Sequence, residues 1–338
     1  MLCAEKIILG QFFTSAPIWL RPHIKEFILG SRTTVAYDPF AGQGDLLSVA
    51  QNTLHFDQIK GLDIDPKLNW EINDSLFNIP HINNAIIITN PPYLSNYSAS
   101  RKKIQDSVKK YFSVSTYDDL YLIALDKMLK AQDFVVAIVP ETFINSNFTL
   151  KNRLVSITVL EENPFKDTDT PVVVLCFDNK YKSETKIKVY KNDTFINDLA
   201  TIENCRIFPQ KTLDMDFNDK SGWLGVRCVD TTDPKKTLKF DFKENIAYDW
   251  NIGIKNSSRL LTLVQVNVPE DQRQSFINNC NNILYKIRKQ SDDIILSPFK
   301  GNMKNGKRRR RLDFLTCRAI IEKAYFQTVT KKEEMLWN

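Results

Sequence analysis

Five short, mostly apolar runs limit what this chain can fold into. They are Thr34–Tyr37, Gln58–Leu62, Ala85–Thr89, Phe134–Val139 and Val172–Phe177. Between them lie amphipathic stretches: Asp45–Gln51, and Tyr117–Leu129, where Leu120, Ile123, Ala124, Lys127 and Met128 recur at helical spacing. Strands that run apolar without alternation are buried on both faces. Strands alternating with helices therefore predict a mostly parallel sheet covered on both sides. In such open sheets ligands bind at the carboxyl ends of the strands. The unusual residues fall there: Asp38, Asp63, Asn90 and Pro140.

The first strand end reads 37-YDPFAGQGDLL-47. Gly42 and Gly44 allow the backbone to approach a ligand closely. The loop lacks the spacing of the dinucleotide fingerprint and has no lysine of the P-loop kind, so it suits a ligand without phosphates. Asp63 ends the next strand, where an acid can accept hydrogen bonds from two ribose hydroxyls. S-adenosylmethionine presents such a nucleoside. The third strand end is 90-NPPY-93. Neither proline has an N–H to donate, and each restricts the residue before it to extended backbone. The stub therefore offers carbonyls and one amide side chain, held rigidly beside an aromatic ring.

Charge divides the chain in two. Through Asp178 there are 16 Lys and Arg against 20 Asp and Glu; the remainder has 30 against 20. A mildly acidic half followed by a basic one suggests a second domain with a polyanionic partner. The expected boundary separates 1–180 from 181–338. In the second half Lys186–Tyr190, Leu238–Phe242 and Leu260–Val268 read as strands and Ser275–Lys289 as a helix. The segment 297-SPFKGNMKNGKRRRRLDF-314 reads as a basic loop. The six cysteines form no C-x-x-C pair and the three histidines do not cluster with them, so no metal site is expected and the thiols read as reduced in a cytoplasm. No stretch has the length and apolar character of a signal sequence or membrane span.

The ordered set 10-GQFFTSAPIW-19, 38-DPFAGQG-44, 61-GLDIDP-66, 73-NDSL-76, 90-NPPY-93 and 164-PFKDTDTPVVV-174 resembles the gamma class of amino-methyltransferases. These are the DNA adenine-N6 methyltransferases of type II restriction–modification systems. The resemblance covers residues 7 to 178. It implies a Rossmann-like class I fold, with a mixed, mostly parallel seven-stranded sheet and helices on both faces, and a C-terminal α+β target-recognition domain. It implies S-adenosylmethionine as cofactor. Gln11, Phe12, Phe13 and Thr14 would lie by the cofactor's amino-acid end, and Asp38, Ala41 and Gly42 would line it. Asp63 would hold the ribose, Ile64 would pack on the adenine ring, and Asp74 would accept from the adenine amine. Asn90, Pro91, Pro92 and Tyr93 would be catalytic, Asn90 would also line the cofactor, and Tyr93 and Phe165 would stack on the target base.

The partner implied is double-stranded DNA, with the protein acting as a monomer on it in a prokaryotic cytoplasm beside a restriction endonuclease. Arg101, Lys102 and Lys103, in a cationic insert that also holds Lys109 and Lys110, and Lys300, Lys304, Lys307, Arg308, Arg309, Arg310 and Arg311 are the expected DNA contacts. Methylation of cytosine N4, of RNA or of a protein glutamine is the alternative. The cytosine class more often carries Ser in place of Asn90. A DNA-binding module on an inactive methyltransferase fold is a further alternative, against which Gly42, Asp63, Asn90 and Tyr93 stand intact.

Overall fold

The apolar runs form the centre of one large mixed sheet. The computed structural model describes residues 17–165, 168–183, 185–252, 254 and 260–330. Its first strands are β1 (Val35–Asp38), β2 (Gln58–Asp63), β3 (Glu71–Ile72), β4 (Ala85–Thr89) and β5 (Phe134–Pro140). Next come β6 (Leu154–Val159), β7 (Val172–Asp178), β8 (Lys188–Lys191) and β9 (Thr194–Asp198). Across the sheet they lie in the order β3-β2-β1-β4-β5-β7-β6-β8-β9. β1 is parallel to β2 and β4, and β4 to β5, while β7 is antiparallel to both of its neighbours. The first seven strands thus have the mixed, mostly parallel arrangement of the class I methyltransferase fold. Among the described residues the sheet has nine strands, the expected seven and two more. β8 and β9 cover the edge of β6, which would otherwise present unpaired N–H and C=O groups.

Side chains alternate across this sheet as the pleat requires. Helix α1 (Pro22–Gly30) contributes Ile24 and Ile28, and α2 (Asp45–Leu54) contributes Leu46, Leu47, Ala50 and Leu54, to one buried cluster. Ile86 and Ile88 of β4 and Val136 and Ile138 of β5 complete it from the sheet. Their neighbours Ile87, Val135 and Ala137 are equally buried but outside that cluster, so they face the other way. Two short helices, α3 (Asn96–Arg101) and α4 (Gln105–Phe112), follow β4. Then α5 (Leu120–Ala131) packs against β5 and buries most of its length, including Leu122, Leu125 and Met128.

Contacts divide the chain into Met1–Ala200 and Thr201–Asn338. β8 and β9 therefore belong to the first unit, although they follow residue 180. The second unit is α+β. Strands β10 (Met215–Phe217), β11 (Leu224–Arg227), β12 (Lys239–Phe242) and β13 (Leu261–Val266) form an antiparallel sheet in the order β10-β13-β11-β12. Helices α6 (Arg273–Gln290) and α7 (Phe314–Tyr325) pack on each other. β14 (Ser297–Asn302) and β15 (Arg308–Arg311) pair as a hairpin.

That hairpin corrects the expectation of a basic loop: the arginine run is a strand, with alternate residues turned inward. Arg308 is 6% and Arg310 1% exposed, so both side chains are buried within this unit. Arg308 donates to the Asn302 side chain at 2.8 Å, and Arg310 to the Leu296 carbonyl at 3.3 Å. The partner that draws the strand in is Asp230, fully buried. Its carboxylate accepts the backbone N–H groups of Leu238 (2.9 Å) and Arg310 (3.0 Å), and both terminal nitrogens of Arg288 (3.1 and 3.0 Å). Arg309 donates to the Asp230 carbonyl and lies over the Phe299 ring, 4.7 Å from its centroid. Guanidinium groups suit this use because they are planar, weakly hydrated and rich in donors.

Candidate active site

The loop after β1 is held by a side chain from the next crossover. Gly44 opens α2 with φ at 83°, in the left-handed region that favours glycine. The Trp70 indole lies against it: a Cβ on Gly44 would sit 2.9 Å from Cζ2 of Trp70, and a Cβ on Gly61 would also collide with that ring. The indole N–H donates to the Gly42 carbonyl at 3.0 Å. Trp70 therefore fixes the glycine loop from behind. Sequence reasoning missed it, although Gly44 and Gly61, flanking a space that only a large ring fills, were the trace it left.

Asp63 stands at the end of β2 with both oxygens engaged by backbone. Gly42 N–H donates to Oδ2 and Asp65 N–H to Oδ1, each at 2.9 Å. An ionised carboxylate accepts about four hydrogen bonds, so about two positions remain open to a ligand. A cavity of about 320 Å³ lies over this carboxylate, a volume in the range of small-molecule sites. Ala41, Gly42, Ile64, Asp74, Asn90 and Pro92 share its wall with Asp63. Ile64 is 46% exposed, an apolar side chain presented to that space.

The wall thus unites most of the residues expected at the cofactor. Asp38 is not on it. It lies behind, 2% exposed, where it accepts from the Thr89 hydroxyl at 2.5 Å and the Phe40 N–H at 2.9 Å. Thr89 is the residue before Asn90, so Asp38 ties the glycine loop to the stub. Burial pushes the Asp38 carboxyl up to about 7, against the pull of those two hydrogen bonds. Gln11, Phe12, Phe13 and Thr14 lie outside the described residues.

The stub follows β4 directly and has neither strand nor helix structure. Pro91 and Pro92 are buried, and Asn90 and Pro92 border the cavity. Tyr93 turns away from that wall, with its hydroxyl donating to the Ile138 carbonyl at 2.7 Å. Phe165 reaches it from the segment joining β6 to β7. The two rings meet edge to face, 6.1 Å between centroids and inclined at 70°. Phe165 is 6% exposed and packs in the same cluster as Leu160 and Val172.

The insert after the stub is helical. α3 and the turn that follows it expose Arg101, Lys102 and Lys103. α4 turns Val108 and Tyr111 onto the cavity wall, a contact its cations had masked. Among the described residues no group of His, Cys, Asp or Glu assembles a metal site, and no helix is long and apolar enough to cross a membrane.

Residues 48–168 match the Eco57I restriction-modification methylase family. The matched span contains Asp63, Asp74, the NPPY stub and Phe165. Among solved structures, a modification subunit assigned to a type I restriction enzyme of Vibrio vulnificus YJ016 is 16% identical with a TM-score of 0.41, over 56% of this chain and 49% of that one. The methyltransferase subunit of a type I restriction-modification system from Streptococcus thermophilus is 16% identical with a TM-score of 0.37, over 53% and 47%. The M protein of the type I restriction enzyme EcoKI is 13% identical with a TM-score of 0.36, over 84% and 72%. The chain spans about half the length of the first two. No curated protein matches it.

Proposed function

We propose that this chain transfers the methyl group of S-adenosylmethionine to N6 of an adenine flipped out of double-stranded DNA, and so protects that DNA from a cognate restriction endonuclease. The observation that carries this is one cavity wall holding Gly42, Asp63 and Asp74 together with Asn90 and Pro92 of the stub. The match to the restriction-modification methylase family over residues 48–168 supports it.

The residues fit the cofactor. Asp63 offers acceptors for two ribose hydroxyls, Ile64 an apolar face for the purine, and Asp74 an acceptor for its amine. Lys110, the cation on the wall, is already hydrogen-bonded to Asp74 at 3.1 Å, so the cavity is not built for phosphates. When bound, S-adenosylmethionine supplies an electrophilic methyl on a sulfonium. The Asn90 side-chain oxygen and the Pro91 carbonyl accept from the two N–H bonds of the adenine amine. That draws its lone pair out of conjugation and stabilises the positive charge growing on nitrogen. Proline stiffness means little has to move when the charge develops, and holding nitrogen and methyl in line is a task of position. No strong base is required. Tyr93 provides a stacking face that offsets part of the few kcal/mol needed to flip the base. Phe165 backs that ring, and a base entering between the two requires them to part.

Asp63→Ala is expected to weaken cofactor binding by at least about 1.5–3 kcal/mol, about ten- to hundredfold in Kd, the worth of one hydrogen bond to a charged group. Calorimetry with S-adenosylhomocysteine measures it, and an unchanged Kd removes Asp63 from the ribose. The transfer itself is tested by incubating unmethylated DNA with methyl-labelled S-adenosylmethionine and identifying the labelled nucleoside.

The polyanion contacts belong to lysines more than to the arginine run. Lys300, Lys304 and Lys307 on the hairpin are exposed, as are Lys235 and Lys236 on the 230–236 loop. The two loops are joined by the Lys304 N–H, which donates to the Thr232 carbonyl at 2.8 Å. Ammonium groups of this kind hold phosphates and set register without reading sequence. Replacing Lys304 and Lys307 together by alanine is expected to lower the slope of log K against log salt by about 1.8, at about 0.9 per phosphate contact. A titration of DNA binding between low and moderate salt measures this, and an unchanged slope takes the hairpin off the backbone.

A further inference from the structure

We propose that α4 sets the cofactor site's preference for a 6-amino purine, through Tyr111 and Lys110, which hold Asp74 as a fixed acceptor. This rests on the cofactor assignment above. The Tyr111 hydroxyl donates to Asp74 Oδ2 at 3.0 Å, and the Lys110 ammonium donates to the same oxygen at 3.1 Å. Among the described residues no hydrogen bond reaches Oδ1. One oxygen is thus saturated from the insert, and the other remains for whatever occupies the cavity that Asp74 borders.

The two donors are themselves held in place. Tyr111 is 6% exposed and its ring packs on Phe77, 5.0 Å between centroids. The Lys110 ammonium lies over both rings, 5.2 Å from the Phe77 centroid and 4.7 Å from that of Tyr111. The hydrogen bond to Asp74 raises the Lys110 pKa, so the ammonium stays charged across the physiological range.

The consequence is chemical. With an ammonium and a hydroxyl donating to one of its oxygens, the Asp74 carboxylate presents the other as an acceptor. A 6-amino purine brings a donor to Oδ1. A 6-oxo purine brings an oxygen, leaving two acceptors face to face. Sites built to pair with a donor reject the analogue that lacks it strongly, because a polar group is left unpaired. Tyr111 and Lys110 are positioning residues here, since they act on the ligand through Asp74. A helix inserted between the stub and α5 would thereby contribute to a choice made at the cofactor.

The test is calorimetric binding of S-adenosylhomocysteine and of its 6-oxo (inosine) counterpart to the whole protein, as wild type, Tyr111→Phe and Lys110→Met. Wild type is expected to favour the amino ligand. Tyr111→Phe keeps the ring and its packing, and is expected to lose about three- to tenfold in affinity for the amino ligand with little change for the oxo ligand. Lys110→Met is expected to move in the same direction. A preference unchanged in both variants overturns the proposal. So does an equal loss for both ligands, which would mark a clasp that only holds the helix down. Wild type that binds neither ligand overturns the cofactor assignment and this proposal together. Wild type that binds the amino ligand tightly, with a preference insensitive to Tyr111 and Lys110, overturns this proposal alone.

Discussion

Asn90→Ala is expected to reduce methyl transfer by about two to three orders of magnitude, the cost of removing one preorganised group aimed at developing charge. S-adenosylhomocysteine should bind this variant nearly as it binds wild type, because Asp63, Ile64 and Asp74 remain. The split identifies the role. Asn90 borders the cavity at the end of β4, and Pro91 and Pro92 hold it there without donating any N–H of their own. In the proposed mechanism its amide oxygen acts on the amine as that nitrogen gains charge, so the loss is expected to fall on the chemical step. Single-turnover transfer beside calorimetry separates the two. Activity near the wild-type level would remove Asn90 from the mechanism.

The second large effect is on stability. Asp230→Ala is expected to destabilise the second unit by about 3–5 kcal/mol, the range for breaking a buried charge pair from one side. Asp230 is fully buried and accepts from Leu238 and Arg310 backbone and from Arg288 in bidentate fashion. Its removal loosens the start of β12, the end of α6 and β15 together. Asp293 still pairs with Arg288 at 2.7 Å, which places the expected loss toward the lower end of that range. Urea unfolding measures it, and a loss below about 1 kcal/mol, as at an exposed pair, would contradict this account of the hairpin.

The same hairpin shows where the sequence stops being legible. Ala85–Thr89 and Phe134–Val139 could be read because a strand buried on both faces is apolar throughout. Four consecutive arginines give no such signal. What turns them into a strand is a carboxylate some 80 positions away, and tertiary partners of that kind leave no local pattern. β3 is two exposed residues, Glu71 and Ile72, too short for any periodicity. β6 carries Ser156 and Thr158 among its apolar residues and was hidden for that reason. The site was more legible. Strand ends, turn glycines and the paired prolines are local features with fixed backbone consequences, and the fold gathers Gly42, Asp63, Asp74 and Asn90 around one cavity. Asp38, expected to line the cofactor, stands behind that wall, where its side chain is committed to Thr89 and Phe40. Tyr111 gives no local signal, because the lysines of its helix read as a solvated face.

A rigid cluster of acceptors is proposed to meet the N6 amine of an adenine in DNA beside a bound S-adenosylmethionine. The most direct measurement is to express the protein in a host without adenine methylation and map modified bases across the genome. The expected result is N6-methyladenine confined to one short sequence, and absent when Asn90 is alanine. Unmodified DNA, or methyl groups on cytosine alone, would contradict it.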